Sequence, residues 1–165
     1  MSPAHTRLAP LRLKPGELLI CREPHEVTTV LGSCVSITMF NARLGLAAIC
    51  HAMLPSPGPQ VRAEDSPPKQ FKYVTHAVPA MAAAFRRAGA HPAEIQVNLF
   101  GGANVLGSND TAERLQGVGP ANVCMARKLL QEENLHIRAA NVGGRRGRKL
   151  LFDTLTGRVL HKHLA

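Results

Sequence analysis

Apolar positions change period several times along the chain, and each change marks an element. Glu17 to Arg22 reads as a short strand closed by Glu23-Pro24. Cys34 to Phe40 and Leu44 to Leu54 are two extended apolar runs. The tight connection Asn41 to Gly45 between them predicts a hairpin. Val78, Met81, Ala82 and Phe85 share one face of a helix predicted over Thr75–Ala88. Thr75 can cap it, Pro79 lies near enough to its start to be tolerated, and Gly89 ends it. Ile95, Val97 and Leu99 alternate with polar residues into Phe100-Gly101-Gly102, a strand that ends in a glycine turn. A second helix is predicted over Ala121–Glu133, followed by the alternating residues Leu135, Ile137 and Ala139. Leu150–Phe152 and Val159–His161 form a last hairpin around Asp153 to Gly157. Strands outnumber helices and several are hairpin neighbours. The predicted fold class is therefore α/β of the mixed α+β kind, largely antiparallel and not Rossmann-like.

The length of 165 residues suits one domain with a substantial core. Residues 1–15 read as a flexible leader and 16–165 as the domain. The leader carries Arg7, Arg12 and Lys14 but lacks the apolar stretch of a secretory signal. No run approaches the ~18 apolar residues of a membrane span, so membrane insertion is not expected. Pro55 to Pro68 is rich in proline and serine and predicts a long exposed loop, a flap or binding loop. The formal charge of +9 favours acidic partners. With Trp absent and a single Tyr, stacking platforms for nucleic acid are scarce, and no nucleic-acid partner is expected.

The four cysteines, Cys21, Cys34, Cys50 and Cys124, form no C-x-x-C pair and are expected to be reduced. Cys34 follows Leu31-Gly32-Ser33, and His51 lies near the end of the next run. A two-residue hairpin loop at Ala42-Arg43 would set Cys34 directly opposite His51, with Cβ atoms about 4.5–5.5 Å apart. An imidazole that close can take the thiol proton and hold a thiolate–imidazolium pair, a nucleophile for carbonyl carbon. Thr28 or Thr29, just upstream, can orient the imidazole through a hydroxyl. The alternative is a core cysteine beside a satisfied histidine. Elsewhere, Gly102 to Gly107 has phosphate-loop spacing but continues as Ser108-Asn109. Cys21-x-x-x-His25 and His161-x-His163 are metal half-sites without a matching second half. The basic turn Gly143 to Lys149 is either solvated or a docking element for an acidic partner.

Five motifs in order complete the picture. They are Thr28-Thr29-Val30-Leu31-Gly32-Ser33-Cys34, Cys50 to Pro55, Leu99 to Ala103, Gly143-Gly144 through Gly147-Arg148-Lys149, and Phe152-Asp153 with Thr156-Gly157. From about Gly16 to the C-terminus the chain resembles the CheD family of chemoreceptor glutamine deamidases. The resemblance implies a cytoplasmic enzyme that hydrolyses glutamine side chains of chemoreceptor cytoplasmic domains to glutamate and ammonia. It implies a β-sandwich-like α/β domain similar to deamidating toxins, with no metal and no cofactor. It also implies a triad of Cys34, His51 and Thr28, with Ser33, Gly101, Gly102 and Arg148 as candidates for substrate or partner binding. Some relatives bind a CheC-type phosphatase, so the alternative function is a non-catalytic chemotaxis adaptor that regulates such a phosphatase. The chain departs from the family pattern at Asn98, Ala121 and Asn141, none of them in the triad.

Overall fold

The first sheet pairs strands distant in sequence. β1 (Ala9–Arg12) runs parallel to β3 (His25–Leu31), which pairs antiparallel with β8 (Arg148–Asp153), and that strand with β9 (Val159–His163). The second sheet has the order β2 (Leu18–Cys21), β5 (Leu46–Cys50), β4 (Val35–Asn41), β6 (Gln96–Gly101) and β7 (Ile137–Val142). Only its last pair is parallel. Helices α1 (Val74–Arg87) and α2 (Val118–Glu132) complete the elements named so far. The computed structural model describes residues 8–58, 69–104 and 117–165. Expectations placed on residues 59–68 of the proline-rich loop and on Gly107-Ser108-Asn109 lie outside the described residues.

The central strands β4 and β5 of the second sheet are buried on both faces. Val35, Ile37 and Met39 of β4, with Leu46, Ala48 and Cys50 of β5, pack against Val78, Met81 and Phe85 of α1 and Ala126 and Leu130 of α2. The alternate positions, Phe40, Ala47 and Ile49, face the first sheet and meet Leu13, Val27 and Phe152. The domain is thus an α+β sandwich, helices covering one sheet and the other sheet covering its far side. Period-two alternation sends neighbouring residues of one strand into two different cores.

Three expectations change. Part of the predicted leader is a strand, because Ala9–Arg12 pairs along His25–Thr28. Helix α2 starts at Val118, three residues before the predicted Ala121, because Pro120 is tolerated in a first turn whose N–H groups have no helical partner. The β4–β5 turn spans Ala42 to Gly45, with Asn41 paired to Leu46. Asn41 closes that turn by accepting from the Leu44 N–H at 3.0 Å, and Gly45 takes a left-handed φ of 59° that suits glycine.

Candidate active site

The longer turn shifts the hairpin register by two residues. Thr38 faces Ile49, and Val35 bridges to Ala52 through a reciprocal pair of 2.9 Å hydrogen bonds. Cys34 and His51 are therefore not directly opposite but diagonal. A two-residue shift preserves the face, so both still point between the sheets, with Cα atoms about 7–8 Å apart. Ser36 stands opposite His51, fully buried, its hydroxyl unbonded. Cys50 goes to the helical side and is fully buried, which pushes its thiol up to about 11.

His51 is 2% exposed and held from both sides. Its N–H donates to the Glu17 carbonyl at 3.0 Å, and its carbonyl accepts from the Gly16 N–H at 2.8 Å. Its Nδ1 lies 2.7 Å from the Thr29 hydroxyl oxygen, and that hydroxyl donates to the Leu13 carbonyl at 2.9 Å. A hydroxyl has one proton. Given to Leu13, it leaves the oxygen to accept from Nδ1–H, which makes Nε2 the unprotonated nitrogen. The threonine that hydrogen-bonds the imidazole is thus Thr29 and not Thr28. On β3 the buried positions are Val27, Thr29 and Leu31, whereas Thr28 lies on the other face with the 46%-exposed Val30.

Cys34 is half-buried against Leu31, Phe100 and Leu150. The carbonyls that lead to it are all engaged. Ala103 N–H donates to Gly32 O at 3.0 Å, Asn122 Nδ2 to Ser33 O at 3.0 Å, and Gly102 N–H to Cys34 O at 2.8 Å. Asn122 Nδ2 also donates to Met53 O at 3.0 Å, tying the loop before Cys34 to the segment after His51. Gly101 adopts φ 103°, and a Cβ there would collide with the Cys34 carbonyl. At Gly102 it would meet the Val123 side chain. Gly101, Gly102 and the Ser33 carbonyl therefore serve to hold Cys34.

Arg148 serves the same end from further away. It is 3% exposed, and its guanidinium donates to the carbonyls of Gly101 (2.7 Å), Asn141 (2.9 Å) and Gly143 (2.7 Å). That burial lowers its pKa and leaves it little surface to offer a partner, contrary to the docking role expected of it. Arg145 and Arg146 of the same turn are exposed.

Burial sets the resting charge state. It raises the Cys34 thiol above its ordinary value, offset in part by the residue's own backbone N–H. It lowers His51 to about 4. No hydrogen bond joins Cys34 to His51 among the described residues. Both shifts favour the uncharged forms, a neutral thiol and a neutral imidazole, over the ion pair that simple proximity predicts. Asn122 and Thr29 are the supports that sequence reasoning placed least well. Thr29 carried a signal, since its parity matches Val27 and Leu31, but Asn122 is an ordinary helical residue until α2 docks.

A thiol and an imidazole of defined tautomer thus lie on one face between the two sheets. Residues 53–163 match a family model described as "CheD chemotactic sensory transduction". The chain is 48% identical over 164 residues to a Geobacter sulfurreducens protein named "Probable chemoreceptor glutamine deamidase CheD 2", covering 99% of this chain and 96% of that one. It is 44% identical over 156 residues to an Oleidesulfovibrio alaskensis protein named "Probable chemoreceptor glutamine deamidase CheD", covering 93% and 72%. A Bacillus licheniformis structure titled as hypothetical protein YfiH superposes with a TM-score of 0.46 at 14% identity, covering 76% of this chain and 50% of that one. The chain belongs to the CheD family. The matched stretch begins at Met53, just past His51. No helix among the described residues is long and apolar enough to cross a membrane.

Proposed function

We propose that the protein deamidates glutamine side chains on the cytoplasmic domains of chemoreceptors, with Cys34 as nucleophile, His51 as base and Thr29 as the residue that orients His51. The observation that carries this reading is the buried Leu13–Thr29–His51 chain of hydrogen bonds, which leaves Nε2 as an acceptor on the face that Cys34 shares. Because thiol and imidazole rest neutral, proton transfer accompanies attack. Sγ bonds to the carboxamide carbon as Nε2 takes the thiol proton. The C–N bond then breaks, and the imidazolium gives its proton to the departing amide nitrogen, releasing ammonia. Water, deprotonated by His51, attacks the thioester, the C–S bond breaks, and the thiolate regains its proton. Glutamate remains. With the carbonyls of Gly32, Ser33 and Cys34 engaged, the N–H groups of this loop are the candidate donors to the oxyanion.

The test is mass spectrometry of a receptor cytoplasmic fragment incubated with the protein. Gln-to-Glu conversion is expected with the wild type, and none with Cys34→Ala or His51→Ala. Conversion that survives Cys34→Ala would exclude the mechanism. No conversion by the wild type, with binding to a CheC-type phosphatase intact, would favour the adaptor reading.

A further inference from the structure

A second cluster of reactive side chains lies well away from His51. Cys21 closes β2, His25 opens β3, and Glu23 stands on the turn between them. One ligand atom from each, a thiol sulfur, a carboxylate oxygen and a ring nitrogen, lies within 4.8 Å of the other two. Thr29, which bonds His51, is four residues beyond His25 along β3, about 13 Å at ~3.3 Å per residue. The cluster is therefore separate from the Cys34–His51 site, and its assignment does not depend on the function proposed above.

We propose that Cys21, Glu23 and His25 bind a divalent cation of the zinc class, with water as the fourth ligand of a tetrahedron. Sulfur, nitrogen and oxygen donors together suit a borderline-soft ion and not calcium or magnesium, which take oxygen alone. The Nδ1 of His25 is buried and has no hydrogen-bond partner among the described residues, an expense that a metal bond to the ring would help explain. The turn is also preorganised. The buried Thr154 hydroxyl accepts from the His25 N–H at 2.7 Å and donates to the Glu23 carbonyl at 2.8 Å, while the Thr154 N–H donates to the His25 carbonyl at 3.0 Å. Binding forms a metal–sulfur bond and releases the thiol proton to solvent, and the thiolate and carboxylate balance the ion's charge. Since β2 and β3 belong to different sheets, the ion would staple the sandwich at this corner.

The full-length protein, stripped with a chelator, is titrated with Co²⁺ and then with Zn²⁺. Stoichiometric binding is expected, with a thiolate-to-cobalt charge-transfer band that Zn²⁺ abolishes. Cys21→Ser removes the band, Cys34→Ser keeps it, and Thr154→Val weakens binding about 10–100-fold through the lost support of the turn. Because Cys21→Ser replaces a buried side chain, Glu23→Gln on the exposed turn provides a second measurement. The zinc-induced rise in Tm seen in the wild type should shrink or vanish in it. Absence of stoichiometric binding, a band that survives Cys21→Ser but vanishes in Cys34→Ser, or an unchanged Tm response in Glu23→Gln would overturn the assignment.

Discussion

Replacing Thr29 by valine keeps the shape of the side chain and removes one oxygen. That oxygen lies 2.7 Å from His51 Nδ1 and donates to the Leu13 carbonyl at 2.9 Å. Thr29 and His51 are each 2% exposed, so water cannot readily replace what is lost. Each bond is worth about 1 kcal/mol net, and a polar group stranded without a partner costs about 1–3 kcal/mol. Thr29→Val should therefore lower stability by about 2–4 kcal/mol. Its effect on rate follows from the tautomer. Without an acceptor for Nδ1–H, the ring loses about 1 kcal/mol of preference for the form in which Nε2 is the base. That alone is worth about fivefold, and a loosened ring adds to it, so kcat should fall about 10–100-fold with KM little changed. Thr28→Val, on the opposite face, should stay within ~0.5 kcal/mol of wild type and keep its rate. Urea unfolding gives the first quantity, and steady-state deamidation of a receptor fragment gives the second. If Thr28→Val stalls the reaction while Thr29→Val does not, the argument from the tautomer is wrong.

Four further outcomes follow from the same geometry. His51 has a folded pKa of about 4, below the ordinary 6.5, so its contribution to stability is intact above pH 6.5 and is lost as the pH falls toward 4, about 3 kcal/mol at most. Unfolding midpoints across that window, in wild type and His51→Gln, measure it, and a wild-type curve no steeper than the variant's would contradict it. Gly101→Ala forces a Cβ into the Cys34 carbonyl and should cost more than ~2 kcal/mol, whereas Gly143→Ala, with open space around it, should cost only the ~1 kcal/mol of its left-handed backbone. Arg148→Met strands three carbonyls and should destabilise by about 3 kcal/mol or more in thermal unfolding. Arg145→Ala with Arg146→Ala should instead raise KM for an acidic partner and leave kcat unchanged.

Local periodicity was enough to establish both helices to within about three residues, and most strands. It did so because burial against a core demands a 3.6-residue repeat in a helix and a two-residue repeat in a strand. The same rule explains why Cys34 and His51 share a face even though the predicted register was two residues out. Parity survives a shift of two, but the identity of the opposite residue does not. The register itself came from the Asn41 side chain closing a longer turn, a contact that hydrophobic pattern does not encode. What lies further off in sequence only the tertiary structure decided. Thr28 and Thr29 are alike in type and adjacent. The choice between them depends on which face of β3 meets β5 across the sandwich, a contact spanning 22 residues. Arg148 reads as a surface charge within a basic run until β8 brings its guanidinium onto carbonyls from β6 and β7. Cys21 and His25 read as half a site until the turn, locked by Thr154 from the other end of the chain, brings a Glu23 oxygen within 4.8 Å of both. In each case, packing between distant segments selects among residues that local chemistry leaves equivalent.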